Sequence, residues 1–126
     1  MFFTPPKTEK TTDNVIVEIN NIDFKKGGAI FIEICDAPNH AILKLKQLVK
    51  PNENIFVFSN LPFGKYAIRA FHDGNNNGKL DKGIFGQPIE GWGVSNDARG
   101  FMSAPPFEKM LFSHTAATKI SFKFSY

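Results

Sequence analysis

The chain has 126 residues, 42% of them hydrophobic and 21% charged, which suits one packed domain, leaves no room for two and excludes wholesale disorder. The formal charge of +3, part of it from Lys7 and Lys10 near the N-terminus, is too small and too scattered for a nucleic-acid binder. No apolar run approaches the ~20 residues of a membrane helix, and the single cysteine, Cys35, excludes an internal disulfide or a multi-cysteine zinc site.

The chain opens Met1-Phe2-Phe3 and turns at once to Thr4-Pro5-Pro6-Lys7, with neither the basic nor the apolar stretch of an export signal. Residues 1–12 lack periodicity and read as a loose arm; residues 13–126 read as one domain. From Asp13 the dominant period is two. Val15, Val17 and Ile19 alternate with Ile16, Glu18 and Asn20, and after the turn at Gly27-Gly28 the residues Ile30, Ile32 and Ile34 share one face. Leu43 and Leu45 alternate with Lys44 and Lys46 as a half-exposed strand, and Ile55–Phe58 is a short run of β-formers. Tyr66, Ile68 and Ala70 alternate with Ala67, Arg69 and Phe71, and the last strand sets Ile120, Phe122, Phe124 and Tyr126 inward. One helical turn near Ala104–Met110 is the only departure. About seven short strands with turn signals between them predict an all-β antiparallel sandwich. The Gly-, Asn- and Pro-rich segment from Asp73 to Phe107 is the exception, a long ordered loop excursion where any chemistry is expected to sit.

Leu61-Pro62-Phe63-Gly64-Lys65-Tyr66 has the spacing of a tyrosine corner, with the phenol bonding backbone just upstream. Asp73-Gly74-Asn75-Asn76-Asn77-Gly78-Lys79-Leu80-Asp81 matches the first nine positions of a calcium loop. Asp73, Asn75, Asn77 and Asp81 offer side-chain oxygens at positions 1, 3, 5 and 9, and Lys79 offers its carbonyl at 7. Calcium wants six to eight oxygens, and alternate residues of a curled loop deliver them. Ile84 stands where the bidentate Glu of an EF-hand belongs, so closure falls to water or to a later acid, Glu90 or Asp97. Two charged ligands in the loop imply weak binding, on the order of 0.1–1 mM, useful only where calcium is abundant. The competing expectation is a metal-free turn at Asn77-Gly78.

Trp92, the only tryptophan, lies between two glycines. With Glu90 and Arg99 as polar clamps it could stack on a sugar or peptide; the alternative is a plug closing the sandwich edge. His40, His72 and His114 lie in separate segments without zinc-ligand spacing, and Cys35 reads as an inert core residue.

These motifs together resemble a bacterial family, domain-of-unknown-function family 2141. The resemblance rests on Leu61-Pro62-x-Gly64-x-Tyr66-Ala67-Ile68 and on His72-Asp73-x-Asn75-x-Asn77-Gly78-x-Leu80-Asp81. It continues through Phe85-Gly86-x-Pro88-x-Glu90-Gly91-x-Gly93-x-Ser95-Asn96, Pro105-Pro106-Phe107-Glu108 and the aromatic last strand. It implies an exported domain, periplasmic, envelope-associated or secreted, with a prealbumin-like or immunoglobulin-like sandwich and no established catalysis.

The expectation is therefore a non-enzymatic exported binding module whose excursion is rigidified by calcium, with a protein or carbohydrate partner, no nucleic acid and no transmembrane segment. Its metal residues are Asp73, Asn75, Asn77, Lys79, Asp81 and Glu90, and its binding residues Trp92 and Arg99. The alternatives are a small transthyretin-like hydrolase with His72, Asp73 and Arg99 gathered at the strand ends, and a purely structural domain.

Overall fold

The computed structural model describes residues 10–74, 90–100 and 105–126. Eight strands form two packed sheets: β1 (Thr12–Asn20), β2 (Ala29–Ala37), β3 (His40–Leu48), β4 (Ile55–Pro62), β5 (Gly64–Asp73), β6 (Trp92–Val94), β7 (Phe112–His114) and β8 (Thr118–Lys123). One helical turn, α1 (Phe107–Met110), precedes β7. The smaller sheet runs β4-β1-β8 and the larger β3-β2-β5-β6, with β7 also paired to β5. All pairs are antiparallel except β1 with β8. A parallel pair needs a long crossover, and here nearly the whole domain separates its two strands.

The two-residue period sorts the core. Val15, Val17 and Ile19 from β1, Phe56 and Phe58 from β4, and Phe122 from β8 face Ile30, Ile32 and Ile34 from β2 and Tyr66, Ile68 and Ala70 from β5. All are buried, and burial of such side chains contributes roughly 1.5–3 kcal/mol each. Cys35 is buried too, and burial pushes its thiol pKa up, which makes it a poor nucleophile. The tyrosine corner forms as its spacing predicts: the Tyr66 hydroxyl donates to Pro62 O at 2.6 Å.

The excursion contains more regular structure than its composition predicts. β6 pairs with Arg69–Phe71 on the edge of β5, while β7 takes Gly64–Tyr66 of the same edge. Trp92 also exchanges backbone hydrogen bonds with Ser125, 3.0 and 2.8 Å, so β6 stitches the two sheets together on this side. Gly93 lies in the seam, where a Cβ would come within 2.8 Å of Lys123 O and of the Phe122 ring; only glycine lets the strands approach this closely. Tyr126, expected inside, is 47% exposed. It lies beyond β8, and its hydroxyl bonds polar groups at the sandwich rim instead of entering the core.

Candidate functional site

Of the sequence-predicted site residues, Asp73 and Trp92 belong to the register of the outer face of the larger sheet. Register partners share a face, so three rows cross it. Lys44, Glu33, Arg69 and Val94 make one row; Lys46, Phe31, Phe71 and Trp92 make the next. The third begins Leu48, Ala29 and Asp73. The β5–β6 ladder continues one step past Phe71–Trp92, with the His72 N–H donating to Gly91 O at 2.7 Å. Asp73 then ends β5, and Glu90 lies in a bend two residues before β6. Of the six expected metal residues, Asp73 and Glu90 are within the described residues. Asp73 is wholly buried and Glu90 half-buried. Asn75, Asn77, Lys79 and Asp81 lie outside the described residues. Gly28, with φ +73°, makes room for this end of β5: a Cβ there would lie 2.1 Å from Asp73 O.

Trp92 is half-buried, and its indole packs on a small second cluster of Ala67, Val94, Ala98 and Met110. The Arg99 guanidinium lies 5.0 Å from the indole centre, a cation–π distance, while Nη2 donates to Ser125 Oγ at 3.0 Å and Nη1 to Ala98 O at 3.0 Å. The two predicted binding residues therefore do meet, and both also close the sandwich edge. Asp97, the other acid considered for the loop, accepts from the Lys123 N–H at 2.9 Å and so ties the excursion to β8.

The histidines sit apart. His72 and His114 are both fully buried, at opposite ends of β5. His72 Nε2 lies 2.6 Å from Gly27 O, and a carbonyl only accepts, so Nε2 carries the proton. Nδ1 then accepts from the Tyr126 hydroxyl at 2.7 Å, and that oxygen in turn accepts from the Asp23 N–H at 2.8 Å. His114 Nε2 faces two carbonyls, Leu61 O at 3.0 Å and Asp13 O at 3.1 Å, and Nδ1 lies 2.8 Å from Thr118 Oγ1. His40 is exposed beside Asp36. Every ring nitrogen of the buried pair is engaged in holding strands and turns together. The gathered histidine–arginine pocket of the hydrolase alternative is not formed by these residues. Among the described residues no group of three or more His, Cys, Asp or Glu converges as a metal centre.

Ser95 and Asn96, quoted above only as part of the family resemblance, are the residues to which motif reading gave no role. β6 and β7 leave a gap opposite Ala67 and Ile68, and Ser95 fills it. Its buried Oγ accepts from the Ile68 N–H at 3.0 Å and donates to Met110 O. Asn96, in the left-handed region at φ 63°, donates Nδ2 to Lys109 O and Leu111 O, 3.1 and 2.9 Å. Serine followed by asparagine just after a strand, at the end of a Gly-rich run, was the available signal: short polar side chains substitute for missing backbone partners.

No curated protein and no solved structure matches the chain. A family profile described as "Uncharacterized protein conserved in bacteria (DUF2141)" matches residues 17–121. That span runs from β1 through most of β8 and includes the tyrosine corner, Asp73, Glu90 and the Ser95-Asn96 clasp. The chain belongs to this bacterial family.

Proposed function

We propose that the protein is a non-enzymatic binding module that works outside the cytoplasm, in the envelope or secreted. A calcium ion held by Asp73, Asn75, Asn77, the Lys79 carbonyl, Asp81 and Glu90 rigidifies the excursion that presents Trp92 and Arg99 to a protein or carbohydrate partner. The observation that carries this reading is the calcium-type spacing of oxygen-bearing side chains that begins at Asp73, the buried last residue of β5. The buried histidines favour it over hydrolysis, because both ring nitrogens of each are committed to structural partners.

Thermal melting across a calcium titration is the test. With affinity in the sub-millimolar range, roughly 10 mM calcium adds about 1.4–2.7 kcal/mol and raises Tm by several degrees. Asp73→Asn and Glu90→Gln should each abolish the rise. A Tm indifferent to both millimolar calcium and chelator would remove the metal from the proposal.

A further inference from the structure

From the middle row of the outer face we infer that the sheet docks a linear acidic polysaccharide, such as a uronic-acid polymer, across β3, β2, β5 and β6. The inference rests on the binding-module reading and names the partner of that same face. Three strand spacings, about 14 Å, separate Lys46 from Trp92, enough for a short run of sugars to lie over the row.

The row has an unusual electrostatic character. Phe31 and Phe71 stack face to face, centroids 4.8 Å apart and planes 4° from parallel. The Lys46 ammonium sits 5.4 Å from the centre of the Phe31 ring, and the Arg99 guanidinium covers Trp92 at the other end. The facing surfaces of the two Phe rings are thus taken up by each other, and the row begins and ends in a cation. Aromatic edges are the positive part of the ring quadrupole. Edges flanked by cations attract oxyanions, whereas a nucleobase needs an open ring face to stack on. The neighbouring row adds Lys44 and Arg69 against Glu33, to which Arg69 bonds and which Lys44 approaches at 3.9 Å. The third row, on the other side, opens with the exposed Leu48 and the fully buried Ala29 and Asp73.

The polymer class follows from what the face lacks. Peptides commonly add to sheets through unpaired backbone groups at an edge. On β2 and β5, inside the ladder, those groups are already paired, so the face offers side chains alone. A uronic-acid chain presents one carboxylate per sugar and needs no backbone partner.

The single tryptophan supplies the readout. In calcium-containing buffer, polygalacturonate should change Trp92 fluorescence saturably, and added salt should weaken the effect. Lys46→Glu, at the far end of the row, should lower the affinity about tenfold with an unchanged melting curve. Lys119→Ala, on the outer face of the other sheet, should leave it unchanged. Binding of neutral dextran with no response to polygalacturonate would overturn the acidic-polymer assignment while leaving the binding module standing. Equal binding of polyglutamate, or tighter binding of oligo-dT, would overturn it in favour of a peptide or a nucleic acid. Failure of all four polymers to bind would overturn the docking face itself, whereas the calcium-dependent melt tests the metal reading separately.

Discussion

The two faces of β5 are packed by different means. Toward the interior, Tyr66, Ile68 and Ala70 join twelve other buried residues, most of them from the two sheets, held chiefly by shape and area. Outward, Ala67 meets Val94, Ala98 and Met110, four small or flexible residues with Trp92, Phe107 and Leu111 around them. So small a cluster excludes too little water to hold a loop-rich segment by itself. The excursion is accordingly pinned by polar clasps: Ser95 to β5 and α1, Asn96 to the segment around α1, Asp97 to β8, and Arg99 to Ser125. One side of the strand relies on the hydrophobic effect, the other on directed hydrogen bonds, and the two should fail differently.

The largest expected effect lies in the interior. Phe122 is 1% exposed between the sheets, and Phe122→Ala should cost about 3–5 kcal/mol, through lost transfer energy plus a cavity that the sheets cannot fully close. Urea denaturation should show a single cooperative transition moved to lower urea. Loss of only the excursion's protection, with the midpoint unchanged, would mean that the two packings are more independent than the shared strand implies.

The outer clasp breaks more gently. Ser95→Ala removes the hydroxyl that pairs Ile68 N–H with Met110 O, and each buried polar group left without a partner costs about 1–3 kcal/mol. Hydrogen exchange should quicken at the Ile68 amide, while amides of β1 and β2 in the interior ladders keep their protection. If amides throughout β1 and β2 lost protection equally, the clasp would belong to the global fold and the contrast between the faces would be void.

The same contrast explains what could be read in advance. Alternation marked Val15–Val17–Ile19, Ile30–Ile32–Ile34 and Tyr66–Ile68–Ala70 because burial on one face of a strand leaves a two-residue imprint. β6 left none: three residues, one of them glycine, cannot show a period, and their strand state depends on the edge that β5 offers. Tyr126 fitted the inward pattern numerically, yet its hydroxyl is drawn to His72 and Asp23 at the rim. Of the candidate site, Trp92 and Arg99 were readable because a lone tryptophan among glycines invites attention. The clasp of Ser95 and Asn96 was not, since its partners Ile68, Met110, Lys109 and Leu111 meet it only in three dimensions. The whole outer row, Lys46 to Trp92, is a product of register across four strands.

The smallest effect belongs to the solvent side of the smaller sheet, where neither apolar burial nor a buried clasp operates. Glu18 accepts from Ser121 at 3.0 Å and pairs with Lys119 at 3.3 Å across the parallel β1–β8 junction. The Ser121 hydrogen bond first, and then Lys119, hold its carboxyl below the ordinary range. A carboxyl whose folded pKa is lowered binds its proton more readily in the unfolded chain. Its contribution is therefore present above the unfolded value and is lost as pH falls through the folded one. Glu18→Gln should flatten the acid side of a stability–pH profile slightly and leave neutral pH almost unchanged, because exposed pairs are screened by solvent and salt. The difference between wild type and variant should shrink further in high salt. A salt-insensitive loss of stability at neutral pH would instead show that the parallel junction depends on this carboxylate as the excursion depends on Ser95.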